Sequence, residues 1–502
     1  MRRRFLINST SGFIQVLIST LLTVISIPLF LSLLGKEMYG VYSLVTTVSM
    51  VGFLINFGFT TLLIKFIGEQ GRSVESDRDI VTSFTLSTLL ISIVVLIGLT
   101  LEGPILKNIL QLPPNYLDSS THILFRCILI SNIFLFLGEI PMAVLDSIHK
   151  IFVSNSLQFF NTFLNKTGII IVLLSGGRIA AVGYVFLLTS FIWFMVLLFF
   201  FFRNWTFQSS HGLFYGFTAT AQKQLRYGSR VYLTGISIFF YEPFTKILIS
   251  HYIGLVEVGI FDIAFRLKNI VWNLISKILY PLTPLIASQP SHERVRIVID
   301  RISKKILLVV APLIVMVLFV TRPFVWSWIG KDSESLIFSI STILSGYLLL
   351  LPSIPIYQYL MIKNHAEKTF YIQLLNALLS FVLFITTVPI WGYPAAIYSF
   401  VGSVLCTNIL SIYYQKKYLH SNYFLPIANL VNSCLIAGVL VLFFAVVHTV
   451  INNDLVEIIM DVMSALVIVP ILFVKLKLFT KDDALFFFGE SKLTQSLVSF
   501  IH

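Results

Sequence analysis

Charge is what this sequence has least of: Asp, Glu, Lys and Arg make up 12% of its 502 residues, whereas 57% are hydrophobic. A chain so poor in charge cannot cover a water-exposed surface, which excludes a soluble globular protein and leaves the bilayer as solvent. Acid is scarcer than base, with 23 Asp and Glu against 35 Lys and Arg. The basic residues fall in short clusters between apolar runs rather than along one stripe, so nucleic acid is excluded as a partner and membrane topology explains them. Cysteine is nearly absent. Cys127, Cys406 and Cys434 lie in apolar segments without Cys-x-x-Cys spacing; they suggest neither a disulfide framework nor a zinc site and read as small core residues. No G-x-x-x-x-G-K-[ST] run occurs; Gly330-Lys331-Asp332 lacks both the upstream Gly and the hydroxyl, so ATP hydrolysis is excluded. The nine His are scattered without an H-E-x-x-H pattern, and neither a metal nor a cofactor is expected. Long polar segments are missing too. The longest connections are only about 20 residues, too short to house an active site, so no catalytic residues are assigned and the chain is not read as an enzyme.

What the sequence has is apolar length. A membrane-crossing helix needs about 20 mainly apolar residues, and fourteen such segments can be marked: 8–34, 40–67, 80–101, 121–144, 151–174, 180–202, 221–249, 256–288, 302–321, 335–357, 366–390, 394–414, 424–447 and 458–474. Met1-Arg2-Arg3-Arg4 opens onto an apolar stretch too long for a signal peptide, without an A-x-A-like cleavage pattern, and is expected to be an uncleaved first span. An even number of spans puts both termini on one side. The odd-numbered loops carry only Lys36, Lys107, Arg178, Arg322 and Lys331, whereas the N-terminus, the even-numbered loops and the tail hold the remaining clusters, including Arg2, Arg72, Lys150, Arg203, Arg294, Lys305, Lys416 and Lys475. Both termini are therefore expected in the cytoplasm of a bacterial inner-membrane protein.

Two patterns recur. Gly35-Lys36-Glu37-Met38-Tyr39-Gly40-Val41-Tyr42, joining spans one and two, has the form of Gly254-Leu255-Val256-Glu257-Val258-Gly259-Ile260-Phe261, joining spans seven and eight. Gly177-Arg178-Ile179-Ala180-Ala181-Val182 likewise resembles Gly392-Tyr393-Pro394-Ala395-Ala396-Ile397, at nearly the same offset. A duplicated six-helix unit follows, with both copies in one orientation. The expected fold is an all-α membrane protein of about fourteen helices: an N-lobe over 1–203, a C-lobe over 204–418, and two further helices with a cytoplasmic tail over 419–502.

Ionisable residues within spans are costly in lipid and should face protein or a water-filled cavity. In the first half these are Lys65, Arg126, Glu139 and Lys166; in the second, Arg230, Glu242, Lys246, Asp262, Arg266, Lys268 and Lys277. Helical phase puts Asp262, Arg266 and Lys277 on one face of span eight and Glu242 with Lys246 on one face of span seven, with Lys268 pointing the other way. The plainer reading of Glu242 with Lys246, and of Asp262 with Arg266, is two i,i+4 ion pairs that hold helices together. Arg126, Lys166 and Lys277 have no acid at helical spacing. For them a solvated basic lumen is expected, with snorkelling or headgroup contact as the alternative. A lumen built on Arg126, Lys166, Arg266, Lys277, Lys246 and Lys65 suits a phosphate-bearing, amphiphilic substrate, because Arg and Lys form charge-assisted hydrogen bonds to phosphate oxygens. Glu242, Asp262 and Glu139 are the candidates for ion coupling. Trp272 can stack on a sugar or pack the core, and core packing is the plainer role. Trp326, Trp328 and Trp391 mark the external boundary and Trp205 the cytoplasmic one, as interfacial belts do.

The Asn8 span, Pro28-x-x-x-x-x-Leu34-Gly35-x-x-x-Tyr39-Gly40-Val41-Tyr42, Asn56-Phe57-Gly58 and Ile253-Gly254-x-x-x-x-Gly259-Ile260-Phe261 together resemble the Wzx-type O-antigen flippases of the multidrug/oligosaccharidyl-lipid/polysaccharide exporter superfamily. Asn56 departs from the pattern, standing where members often have Asp. The resemblance implies two six-helix lobes around a central cationic cavity. It also implies a flippase for undecaprenyl-pyrophosphate-linked oligosaccharide in lipopolysaccharide biosynthesis, with membrane lipids, a polysaccharide polymerase and a chain-length regulator as partners. A multidrug and toxin extrusion transporter would usually have twelve spans and, for cationic drugs, an acidic lumen; a lipid II flippase is a nearer alternative. A polysaccharide polymerase or ligase would carry a large external catalytic loop.

Overall fold

The structure is a computed structural model that describes residues 2–50, 58–208, 215–226, 228, 242–279, 292–351, 354–362, 366–419, 427–450 and 454–475. Every regular element among them is helical. In lipid no water is available to hydrogen-bond exposed amides, so apolar runs of this length satisfy their backbone internally by coiling. Eight helical stretches among the described residues are long and apolar enough to cross a membrane: Ile14–Leu34, Val74–Thr100, Ser119–Ser147, Ile151–Leu174, Ile179–Asn204, Val310–Trp328, Glu367–Trp391 and Pro394–Leu419. The chain is an all-helical, multi-pass membrane protein.

The helices are α1 (Arg2–Leu34), α2 (Lys36–Thr46), α3 (Phe59–Gln70), α4 (Val74–Thr100), α5 (Ser119–Ser147), α6 (Ile151–Leu174), α7 (Ile179–Asn204), α8 (Glu242–Tyr252), α9 (Leu255–Leu279), α10 (His292–Trp328), α11 (Glu334–Leu350), α12 (Ile354–Ile362), α13 (Ala366–Trp391), α14 (Pro394–Leu419), α15 (Ile427–Val450) and α16 (Asp454–Lys475). Each expected span is helical over its described residues, with two departures in form. The second is broken: α2 runs into a 3-10 turn at Thr47–Met50, and α3 restarts after Gly58, whose φ of 69° is left-handed. Span nine extends well beyond 302–321, because α10 begins with a charged stretch at His292. Residues 51–57, with Asn56, and Arg230 lie outside the described residues.

The chain divides into two compact units, Met1–Phe265 with Phe384–Ala396, and Arg266–Leu383 with Ile397–His502. In the first, α5 is mostly buried and packs against α2, α3, α4, α6 and α7. Asp118 caps it, accepting a hydrogen bond from the Thr121 amide at 2.9 Å; burial pushes the carboxyl up, but the hydrogen bonds offered at the helix start together outweigh it and hold it below the usual carboxylate range. In the second, α10 packs against α11, α12, α15 and α16. Leu96, Leu174, Phe199, Ile390 and Leu442 stay exposed, as lipid-facing side chains do. Cys127 is a core residue as expected, whereas Cys406 is exposed.

Candidate functional site

The two recurring glycine turns touch each other. Gly35, with a φ of 82°, ends α1 and starts α2 in a conformation that a side chain would strain. Gly40 then lies directly against the start of α9: a Cβ built there would fall 2.0 Å from the Leu255 carbonyl oxygen. Reciprocally, a Cβ on Gly259 would sit 3.1 Å from the Tyr39 ring and 3.6 Å from the Gly40 amide nitrogen. Only glycine lets these two backbones approach so closely.

That approach assembles a buried polar network. The Tyr39 hydroxyl donates to Asp262 Oδ2 at 2.7 Å. Lys246 Nζ donates to Asp262 Oδ1 at 2.7 Å and lies 3.0 Å from Glu242 Oε1. The Lys246 and Asp262 side chains are 3% and 1% exposed. The expected Glu242–Lys246 pair is therefore present, and the structure adds Asp262 from α9 and Tyr39 from α2 to it. At such burial, attraction between the charges must offset the cost of stripping both of water, and removal of one partner is strongly unfavourable. Nearby, Tyr116 donates to Glu37 on α2, and that carboxylate raises the phenol above its ordinary value.

The other expected site residues are spread more widely. Arg126 is exposed but not solitary: its Nε lies 2.7 Å from Glu102 Oε2, while His122 Nδ1 lies 2.7 Å from the other oxygen of the same buried carboxylate. Lys166 Nζ sits 5.4 Å from the centre of the Phe30 ring, a cation–π distance. Glu139 is half-buried within α5, and Lys65 is exposed on α3. Arg266 and Lys268 lie on α9 in the second unit, half-buried, with Lys268 Nζ 5.8 Å from the Phe400 ring. Lys277 is on the same helix, and its side chain lies outside the description. Trp272 packs on Tyr347 at 5.4 Å between ring centres, which is the core role. Trp205 does not face outward. It is 1% exposed and donates from Nε1 to Asp77 Oδ1 at 2.9 Å, because the end of α7 folds back onto the start of α4.

Comparison with known proteins places this geometry. The sequence profile of the family described as polysaccharide biosynthesis protein matches residues 5–289, more than half of the chain. The chain belongs to the polysaccharide biosynthesis protein family. The fold of this family member is that of the multidrug/oligosaccharidyl-lipid/polysaccharide exporter superfamily. It is similar to the lipid II flippase MurJ in an inward closed conformation, with 14% identity and a TM-score of 0.70 over 93% of this chain and 99% of that one. It is also similar to the multidrug transporter DinF-BH, with 13% identity and a TM-score of 0.62 over 82% and 95% of the two chains. An inward-facing multidrug resistance transporter of the same superfamily gives 12% identity and a TM-score of 0.59 over 80% and 94%. No curated protein sequence matches the chain significantly.

Sequence reasoning missed Tyr39 and Glu102 as site residues in this family member. Tyr39 had a signal, because it precedes Gly40 inside the turn that recurs. Glu102 had none. It lies between marked spans, and its pairing with Arg126 depends on how the chain after α4 folds back over α5.

Proposed function

We propose that this polysaccharide biosynthesis transporter flips an undecaprenyl-pyrophosphate-linked oligosaccharide repeat unit, of O-antigen or a related surface polysaccharide, from the cytoplasmic to the periplasmic leaflet by alternating access. The observation that carries the reading is the Tyr39–Asp262–Lys246–Glu242 network at the interlocked glycine turns. Loop charge assigns both turns to the periplasmic side, with both termini cytoplasmic. Charges buried there act as a closure that must part for the substrate to leave. Fourteen spans in two six-helix lobes with an accessory pair would frame the path.

The pyrophosphate needs positive partners at low dielectric. Arg126, Lys166, Arg266, Lys277, Lys246 and Lys65 are the cations assigned to it. Arg126 and Lys246 already hold carboxylates, so a pyrophosphate reaching them would displace an acid rather than fill a vacancy, and binding would be linked to opening. Glu242, Asp262 and Glu139 are the groups proposed to couple a proton or sodium gradient to that change. A polymerase and a chain-length regulator would take up the product in the periplasm.

The test is a deletion strain in which the leaflet location of lipid-linked repeat units is measured. Accumulation on the cytoplasmic leaflet, reversed by the wild-type gene, is expected. Replacing Arg266 or Lys166 by Ala should lower flipping per inserted, folded molecule roughly tenfold, the loss of one charge-assisted contact of about 1.5–3 kcal/mol. Complementation of a lipid II defect instead would assign the lipid II reading; unchanged flipping in the Ala variants at limiting expression would remove these cations from the substrate path.

A further inference from the structure

The C-terminal helical hairpin carries a polar cluster for which the transport reading has no use. α15 and α16 pack against each other and against α10, with a dry contact made by Val315, Ile436, Leu440, Phe444 and Ala465. At the turn end of the hairpin, His448 Nε2 lies 2.6 Å from Glu457 Oε1 and 3.4 Å from Asp461 Oδ2. Glu457 and Asp461 are one helical turn apart and so face the same way. Phe319 of α10 meets the imidazole edge to face, 6.1 Å between ring centres, and closes its apolar side.

Two features resist an explanation by acids merely complementing a helix start. Asp454 and Glu457 occupy the first turn of α16, where the helix dipole favours carboxylates. Asp461 lies a further turn inside and is 0% exposed. Its second oxygen, Oδ1, is buried with no hydrogen-bond partner, and an unmet carboxylate oxygen in an apolar bundle is costly. An imidazolium bridging the two acids would satisfy Glu457 Oε1 and Asp461 Oδ2 and still leave that oxygen and a surplus negative charge.

We propose that His448, Glu457 and Asp461 bind a divalent transition-metal cation of the zinc class, which staples the α15–α16 hairpin. One neutral imidazole, two carboxylates and a dication sum to zero charge. The ligand atoms already lie within 4.8 Å of one another, and a tetrahedral zinc with ligand bonds of about 2.0–2.2 Å needs its donors roughly 3.3–3.5 Å apart. Small rotations of three side chains bring them there. Three protein ligands leave one position for water, which the half-exposed His448 side admits. The nitrogen–oxygen donor set favours zinc or a neighbouring first-row ion over magnesium or calcium, which prefer oxygen alone.

Purified full-length protein, stripped with chelator and dialysed, is titrated with Zn²⁺ while bound metal and unfolding temperature are measured. One zinc per chain and a rise in Tm that chelator reverses are expected. His448→Gln, Glu457→Gln and Asp461→Asn should each weaken zinc binding by more than about tenfold, since loss of even an outer-shell contact costs 10–100-fold. Loading the wild type with Co²⁺ should give a visible ligand-field absorption, a readout that does not depend on any variant folding. The proposal is overturned by a wild type that takes up no stoichiometric zinc and shows no cobalt band, by a triple variant that binds zinc as tightly as wild type, or by zinc displaced by an equal concentration of Mg²⁺ or Ca²⁺. The first two results would leave an imidazole–carboxylate cluster only; the third would replace the metal class.

Discussion

The two ends of the Met1–Phe265 unit both bury carboxylates, but they satisfy them with different partners. At the glycine-turn end, Asp262 is held by an ammonium and a phenol, Lys246 and Tyr39, each at 2.7 Å. At the other end, Asp77 accepts from the Trp205 indole at 2.9 Å and the Gln208 amide at 2.7 Å, and Asp79 accepts from the Gln224 side chain at 3.2 Å, with Lys223 more distant at 3.9 Å. Ser83 in turn donates to Gln224 at 3.1 Å, and Phe59, Leu62, Phe66, Ile140 and Phe201 pack around Trp205. Neutral donors cost less to strip of water than an ion does, so this joint has little reason to open. The Lys246–Asp262 charge pair, between the consecutive helices α8 and α9, carries a heavy desolvation cost when closed and regains hydration when parted, so the balance between its two states is close. On the proposed function, the glycine-turn end is the one expected to open and the Trp205 end the one expected to stay closed.

Substituting Lys246 should break this contrast most strongly. Lys246→Met removes the cation from a site where Glu242 and Asp262 remain, and loss of one partner of a buried pair costs about 3–5 kcal/mol. Thermal unfolding in detergent should show that loss, with flipping abolished. The triple variant Glu242→Gln, Lys246→Met, Asp262→Asn should recover most of the stability without recovering transport. If it transports normally, the charges are a structural staple and not a gate.

Backbone proximity at the turns comes next. Gly40→Ala puts a methyl 2.0 Å from a carbonyl oxygen, which only backbone displacement can relieve, at a cost of about 1–3 kcal/mol. Because the displacement parts α2 from α9, transport should fall, and accessibility of a cysteine placed at residue 36 to a membrane-impermeant reagent should rise. Gly259→Ala meets the Tyr39 ring at 3.1 Å instead; a side chain can yield by a few tenths of an ångström, so its effect should be smaller. Equal effects from the two would contradict the packing described.

How much of this was legible in sequence depends on the distance between partners. Apolar length located the helices, and i,i+4 phase found Glu242 with Lys246. The recurring Gly turns were visible as a pattern, but their contact was not, because adjacency of Gly40 and Leu255 is a property of the folded bundle. Tyr39 reaches Asp262 across 223 positions, beyond any helical period. Arg126 lacked an acid at helical spacing and found Glu102 through a chain reversal. His448 and Glu457 fall just outside the apolar segments 424–447 and 458–474, whereas α15 continues to Val450 and α16 starts at Asp454. Polar residues at helix ends dilute the apolar signal that marks the helix.

Trp205→Phe and Tyr39→Phe complete the comparison, since each removes one donor from a buried carboxylate while keeping an aromatic ring. A hydrogen bond to a charged group is worth about 1.5–3 kcal/mol. Trp205 is wholly buried and its smaller replacement also leaves a void, so Trp205→Phe should sit at the upper end of that range and appear as lost thermal stability, with flipping per folded molecule unchanged. Tyr39→Phe should sit at the lower end, because Asp262 keeps Lys246 and the ring still fills its place against Gly259. Its signature is different in kind. Weakening one side of a closure shifts the balance between closed and open states, so the variant should change flipping rate and external cysteine accessibility by several-fold while Tm moves only a few degrees. Should Trp205→Phe alter accessibility and Tyr39→Phe alter only Tm, the moving and anchoring ends would have to be exchanged.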